Sequence, residues 1–465
     1  MKRATHGWLV ALFFFSCAAF AGETALDRYV AKPDPYFAYG AYATDHDVLY
    51  TTHFLRMRSQ EWRTGKVDRP LWEHVIEITV PAVRHSTSRN TAILLVNGGS
   101  NGAAYPTKTD SRAAAIAVAL GSVVVIVNQI PNQPLYFADE SNVARSEDAI
   151  IAYSFDKFLK TGDEEWPVLL PMTKAVVRAM DTVQSYLAGR VRIDDFIVVG
   201  GSKRGWTTWL TAAVDRRVKA AAPASIDLLN MGVQFRRHFE AYGFFAPAIA
   251  DYVAFDLPNR IATPAGQALL NIVDPYAYRA RFKMPKIILN STGDQFFLPD
   301  SSRFYFGDLP EPKWLRYAPN TDHKQSLDVA ISLTSWIDQI NDGITTPHYS
   351  WSIEPDGAIR VEAWTRPSRV RLWQATNPTA RDFRLEAVGT IWTSTDLLPS
   401  GPWIYRAYVP PPPQGWTAYL VELTYEESGL LEPNQLFATD VVVTPDTLPF
   451  ANIRPPSSVP SSVTW

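Results

Sequence analysis

The sequence is short of the residues that several kinds of protein chemistry need. It has one cysteine, Cys17, and that residue falls in an N-terminal stretch with the marks of a leader. A chain without that leader holds no disulfide, no thiol nucleophile and no cysteine metal site. Basic residues are not in excess: 44 Lys and Arg face 47 Asp and Glu. No basic run stands out, which argues against nucleic acid as a partner. The phosphate-loop spacing Gly-x-x-x-x-Gly-Lys-Ser/Thr is absent. No internal repeat is visible. No apolar run reaches the roughly 20 residues of a membrane span.

What is present begins with that leader. Lys2 and Arg3 are basic, Trp8 to Phe15 is apolar, and Ala19-Phe20-Ala21 fits a small-x-small cleavage site. Residues 1–21 are therefore expected to be a signal peptide, and the protein to be periplasmic or secreted. Loss of Lys2 and Arg3 takes the basic count from 44 to 42 against 47 acidic residues, and the formal charge from -3 to -5. At 465 residues with 46% hydrophobic content the chain can bury a large core. Its 35 prolines outnumber its 24 glycines, so many connections are expected to be stiff.

The rest is organised around Phe196-Ile-Val-Val-Gly-Gly-Ser202-Lys-Arg-Gly-Trp206. A β-branched run meets two glycines, a serine and a helix start. A serine on such a turn stands clear of the backbone, where its hydroxyl can serve as a nucleophile. The same element rhythm surrounds it. Ala92–Val96, Val123–Val127, Val218–Ala222, Lys286–Asn290 and Leu315–Ala318 read as strands, and Ser111–Leu120, Thr173–Leu187, Trp206–Val214 and 326–340 as helices. Continuously apolar strands between helices predict a parallel sheet covered on both faces. Residues 24 to about 90 read as a lead-in containing one strand from Leu71 to Val83. Residues 225 to about 284 break the rhythm as an aromatic-rich, mostly helical insertion. After residue 346 the pattern turns to alternation, as in Ile359-Arg-Val-Glu-Ala363, and predicts a C-terminal β-sandwich over 346–450. The fold expected is α/β: an α/β-hydrolase fold over residues 22–345 plus that sandwich. A Pro/Ser-rich tail over 451–465 closes the chain.

A serine hydroxyl needs a base, and the base an orienting acid. His323 follows the last apolar strand in Pro319-Asn-Thr-Asp-His323. His238, in the insertion, is its main competitor. Asp294 follows the strand Lys286–Asn290 and is preferred as the acid, with Asp300 as the alternative. The order Ser202, Asp294, His323 matches that of α/β-hydrolases. An oxyanion needs hydrogen-bond donors. The N–H of Lys203 is one candidate; the loop Asn97-Gly98-Gly99-Ser100 offers the N–H of Gly99 or Ser100 as another. Lys203 and Arg204 are unusual at a helix start, where the dipole disfavours cations. They are either solvated, or one of them meets an anionic substrate group or a carboxylate in the site. Arg204 and Trp206 are candidate substrate-binding residues. No cofactor and no metal site is expected.

Gly201-Ser202-Lys203-Arg204-Gly205-Trp206-Thr-Thr-Trp209, Thr292-Gly-Asp-Gln-Phe-Phe-Leu-Pro-Asp300-Ser-Ser and Pro319-Asn-Thr-Asp-His323 together closely resemble the PhoPQ-activated pathogenicity-related protein family. The likeness runs from about Asp27 to Phe450. It implies an α/β-hydrolase-like fold, an exported location, and an association with virulence and antimicrobial-peptide resistance; it names no substrate. The elbow spacing alone is also similar to glucuronoyl and acetyl-xylan-type esterases, although Asn97 stands where those have a histidine. The reading that results is a serine hydrolase, esterase before peptidase, acting on a small-molecule, glycan or peptide substrate. The alternative is a non-catalytic envelope or interaction protein on a hydrolase scaffold.

Overall fold

The computed structural model describes residues 22–86, 90–343, 347–425 and 435–456. The expected leader 1–21, the expected domain boundary at 345/346 and residues 457–465 of the expected tail lie outside them. Among the described residues, no helix is long and apolar enough to cross a membrane.

Nine strands form the central sheet: β1 (Ala38–His46), β2 (Tyr50–Glu61), β3 (Leu71–Pro81), β4 (Thr91–Val96), β5 (Val123–Val127), β6 (Asp195–Gly201), β7 (Val218–Ala224), β8 (Lys286–Ser291) and β9 (Lys313–Ala318). Their spatial order is β1-β2-β3-β5-β4-β6-β7-β8-β9. The six strands from β5 to β9 run parallel, and β1, β2 and β3 pair antiparallel along one edge. The expected lead-in is thus part of the sheet. Its first two strands escape a pattern reading because β1 is half-exposed, with no buried row to reveal the alternation. This mixed sheet, doubly wound around a strand-order reversal, is that of an α/β-hydrolase.

Each central strand is apolar on both faces because each face meets a helical layer. Leu94, Val96, Val125, Phe196 and Val198 share one apolar cluster. Helices α1 (Ala25–Ala31), α3 (Asp148–Thr161), α4 (Leu169–Leu187) and α5 (Lys203–Val214) supply much of the rest of it. Ile93, Val124, Ile126 and Ile197 face the opposite cluster, with α2 (Ser111–Leu120) and the helix Leu327–Asp342. Side chains alternate along a strand, so a five-residue apolar run feeds both layers.

The segment between β7 and β8 is helical, led by α6 (Met231–Tyr242). The C-terminal region forms two antiparallel sheets. One orders Tyr349–Ile353, Ile359–Ala363, Ile404–Ala407 and Pro399–Gly401; the other centres on Arg369–Asn377 beside Trp416–Tyr425. It packs closely on the rest of the protein. Leu385 N–H donates to Gly293 O, and the Asn320 side chain pairs with the backbone of Trp392.

Candidate active site

The chain leaves β4 toward β5 on one side and reaches β6 on the other, so the loops after β4 and β6 diverge at the reversal point. Ligand crevices in open α/β sheets lie there, at the carboxyl ends of the strands. Val96 pairs with Gly200, so the loop starting at Asn97 leaves the sheet beside the turn carrying Ser202.

Ser202 has φ 57° and ψ −131° and immediately precedes α5. A residue with a side chain rarely takes this conformation, and it costs about 1–3 kcal/mol. The surroundings hold it there. Ser202 N–H donates to Ala224 O of β7, and Trp206 N–H to Ser202 O. A Cβ on Gly200 would lie 2.4 Å from Arg204 O, and one on Gly205 2.9 Å from Gly200 O. The two glycines let helix and strand meet closely enough to force the turn.

His323 Nε2 lies 2.8 Å from Ser202 Oγ, and His323 Nδ1 lies 2.8 Å from Asp294 Oδ2. With the proton on Nδ1, the imidazole donates to the carboxylate and accepts from the hydroxyl. Ser291 of β8 pairs with Ala318 of β9, so Asp294 and His323 emerge on adjacent loops. Asp294 Oδ1 accepts the Phe296 N–H at 2.7 Å, the His323 N–H donates to Gln295 Oε1 at 3.1 Å, and Ser225 Oγ donates to His323 O at 2.8 Å. Phe296 lies against the imidazole, with ring centroids 4.3 Å apart.

The two alternatives are engaged elsewhere. Asp300 is fully buried and bonds to Arg381 Nη2 at 2.7 Å. Burial raises its pKa, but Arg381, Arg237 and Arg303 outweigh this and hold it at about 2. His238 lines the same pocket as Ser202, yet its Nε2 accepts the Ala246 N–H at 3.0 Å. Burial, with the Arg384 charge adding, pushes it down to about 3, so it is neutral.

Ser202 opens into a pocket enclosing about 660 Å³ between its walls, its mouth included. Trp206, Leu228, Met231, Phe235, Tyr252 and Phe297 supply much of the apolar wall, so the helical insertion builds one side. Trp206 contributes its ring while its Nε1–H is spent on Val273 O at 2.6 Å. Asp148, at one side, accepts the Tyr252 hydroxyl at 2.8 Å.

Lys203 and Arg204 take the carboxylate alternative that the sequence left open. Lys203 is buried and its Nζ pairs with Glu147 Oε2 at 2.8 Å and Asp148 Oδ2 at 3.1 Å. Arg204 does not line the pocket; it donates to both Glu147 oxygens, at 2.7 and 2.8 Å. Both side chains are largely buried and held by carboxylates. The first N–H of α5, at Lys203, has no acceptor within the helix. Gly99 and Ser100 stand on the loop that leaves the sheet beside the Ser202 turn, outside the apolar wall of this pocket; the far side of Ser100 faces a cleft with Arg56, Arg69 and Tyr105. Glu147 and Asp148 were missed by sequence reasoning. Their one signal was a pair of acids at an unread helix start. Among the described residues, no group of three His, Cys, Asp or Glu side chains could hold a metal ion.

Residues 26–384 match the family model described as PhoPQ-activated pathogenicity-related protein. The chain is 33% identical over 476 aligned residues to Autocrine proliferation repressor protein A of Dictyostelium discoideum, covering 96% of this chain and 95% of that one. Among solved structures, it is similar to an acetyl xylan esterase from Paenibacillus sp. R4 at 15% identity and a TM-score of 0.49, over 68% of this chain and 91% of that one. A second is Acetyl Xylan Esterase 1 from Thermoanaerobacterium sp. JW/SL YS485, at 14% identity and 0.46, over 68% and 92%. The family match spans most of the chain, so this protein belongs to the PhoPQ-activated pathogenicity-related protein family.

Proposed function

We propose that the protein is an exported serine hydrolase that cleaves an ester, or an amide, through an acyl-enzyme on Ser202. The observation that carries this reading is the unbroken hydrogen-bond chain Ser202 Oγ, His323, Asp294, with the serine on a strained turn at the carboxyl edge of the sheet. Each link has a chemical task. Ser202 Oγ attacks the carbonyl carbon as its proton passes to His323 Nε2. Asp294 steadies the imidazolium through Nδ1–H. The oxyanion is received by the Lys203 N–H and by an N–H of Gly99 or Ser100. Collapse expels the leaving group, which takes the proton from His323. A water then gives His323 a proton and attacks the acyl group, releasing the acid and restoring Ser202.

Esters rank above peptides as substrates, and the pocket's apolar wall suits an apolar acyl group. Export rests on the leader pattern of residues 1–21. A link to virulence or antimicrobial-peptide resistance comes from the family. The C-terminal sandwich, read as a domain over 346–450, either supports the catalytic domain or binds a polymer.

The second reading is a non-catalytic interaction protein on this scaffold. It is favoured by one observation: the 33%-identical relative is named as a proliferation repressor. A fluorophosphonate probe separates the two. The hydrolase reading expects stoichiometric labelling that Ser202→Ala abolishes. An intact protein that does not label, or labels equally as Ser202→Ala, leaves the second reading standing.

A further inference from the structure

Glu147 shares the unusual backbone of Ser202. It has φ 53° and ψ −126°, where Ser202 has φ 57° and ψ −131°, and each residue immediately precedes a helix. Side-chain-bearing residues persist in this region only where their surroundings over-determine them, and such residues gather at working sites.

What fixes Glu147 is specific. Its carboxylate receives Arg204 Nη1 and Nη2 at 2.7 and 2.8 Å, Lys203 Nζ at 2.8 Å and Gln133 Nε2 at 2.5 Å. Its own N–H donates to Gln133 Oε1 at 2.8 Å. Burial opposes its charge, but Arg204 and Lys203 outweigh this and hold it at about 2, so it is ionised wherever the protein is folded near neutral pH.

The same network reaches the loop after β4. Arg204 Nε donates to Ile130 O at 2.6 Å. The Arg204 guanidinium lies under Gly98 so closely that a Cβ there would fall 2.6 Å from Nη2. Gln129 N–H donates to Gly98 O, Ile130 N–H to Asn97 O, and Asn101 N–H to Gln133 O. One carboxylate therefore ties the two residues after Ser202 to both ends of the loop Asn97–Asn101. An anion-binding role fits poorly, because the two cations already face the carboxylates of Glu147 and Asp148.

We infer that Glu147 and Arg204 are positioning residues for the proposed hydrolysis, setting where the Gly99 and Ser100 N–H groups stand relative to Ser202. This rests on the hydrolase reading. Neither residue touches the substrate; they act through the loop. Oxyanion donors must lie within about 2.7–3.1 Å of the developing charge, so a small slip of the loop removes their effect.

The test compares an aryl ester with the matching thionoester. Sulfur accepts hydrogen bonds poorly, so an intact oxyanion site favours the oxygen ester, and a displaced one loses that preference. Glu147→Gln and Arg204→Lys are expected to lower kcat on the oxygen ester by about 10²-fold, with KM nearly unchanged, and to compress the oxygen-to-sulfur rate ratio. Gly98→Ala, which pushes on Arg204 from the loop side without altering charge, is expected to do the same. It should add little in an Arg204→Lys background. Variants that stay folded by circular dichroism but keep the wild-type ratio overturn the inference, whether both rates fall together or neither falls. If wild-type protein takes no fluorophosphonate label, the hydrolase reading fails and this inference with it. Labelling with an unmoved ratio removes this inference alone.

Discussion

Asp294 and Asp300 stand on one loop and serve different partners: Asp294 Oδ2 is 2.8 Å from His323 Nδ1, and Asp300 Oδ2 is 2.7 Å from Arg381 Nη2. Both are buried carboxylates, but only the first can orient an imidazole. The second neutralises a guanidinium with no exposed surface, joining the loop after β8 to the C-terminal region. Asp294→Asn should therefore leave unfolding midpoints nearly unchanged and lower kcat by about 10³–10⁴-fold. A rate within a few-fold of wild type would remove Asp294 from the triad.

Asp300→Asn should do the reverse. Removing one partner strands the Arg381 charge in the interior, at a cost of about 3–5 kcal/mol. Urea unfolding should show that loss. The rate per titrated active site should stay near wild type, and a large fall in that rate with stability intact would reassign the acid.

The elbow glycines should differ sharply. A Cβ on Gly200 would meet Arg204 O at 2.4 Å and Arg204 C at 2.6 Å, both backbone atoms that cannot swing aside. Gly201 has nothing within 4 Å of its Cβ position. Gly200→Ala should cost about 1–3 kcal/mol or more and lose fluorophosphonate labelling. Gly201→Ala should keep the wild-type thermal midpoint within about 1 °C, a shift of about 1 kcal/mol or less in a chain of this size.

The apolar pocket should set acyl length. Leu228→Trp shrinks it and should move the best p-nitrophenyl ester toward acetate, while Phe235→Ala should move it toward longer chains. A deleted or added methylene in such a pocket changes kcat/KM by about 10–200-fold. Identical chain-length profiles in all three proteins would place the acyl group elsewhere.

Asp227 should make stability fall with pH. It is buried just beyond β7, bonded by the hydroxyls of Tyr305 (2.6 Å) and Tyr317. Burial, aided by the Asp294 and Asp440 charges and opposed by the two hydroxyls, pushes its pKa up to about 8. The folded value lies above the unfolded one of about 4, so folding favours the neutral form. That contribution is complete below about pH 4 and is lost as pH rises through about 8. Wild type should lose up to about 1.4 kcal/mol per pH unit relative to Asp227→Asn across this window, read by urea unfolding at each pH. Parallel profiles would show that Asp227 does not change its proton on unfolding there.

The sequence by itself determined the parallel core of the sheet and the loops from which Ser202 and His323 emerge. Val123–Val127 and Phe196–Val198 are apolar at every position, as a strand buried on both faces requires, and Ser202, Asp294 and His323 each lie in the turn or loop that follows a largely buried strand. Local pattern is enough there, because parallel strands deliver their carboxyl ends to one edge. Only the tertiary structure decided between Asp294 and Asp300, which are the same residue type, lie on one loop, and differ in what packs against them. It also decided the fate of Lys203 and Arg204. Their partners Glu147 and Asp148 sit far earlier in the chain, at the start of a helix whose docking beside α5 no periodicity encodes. Charge at a helix start reads as exposed until the opposing carboxylates are in place, and they arrive only when the sheet brings the loops after β4, β5 and β6 together.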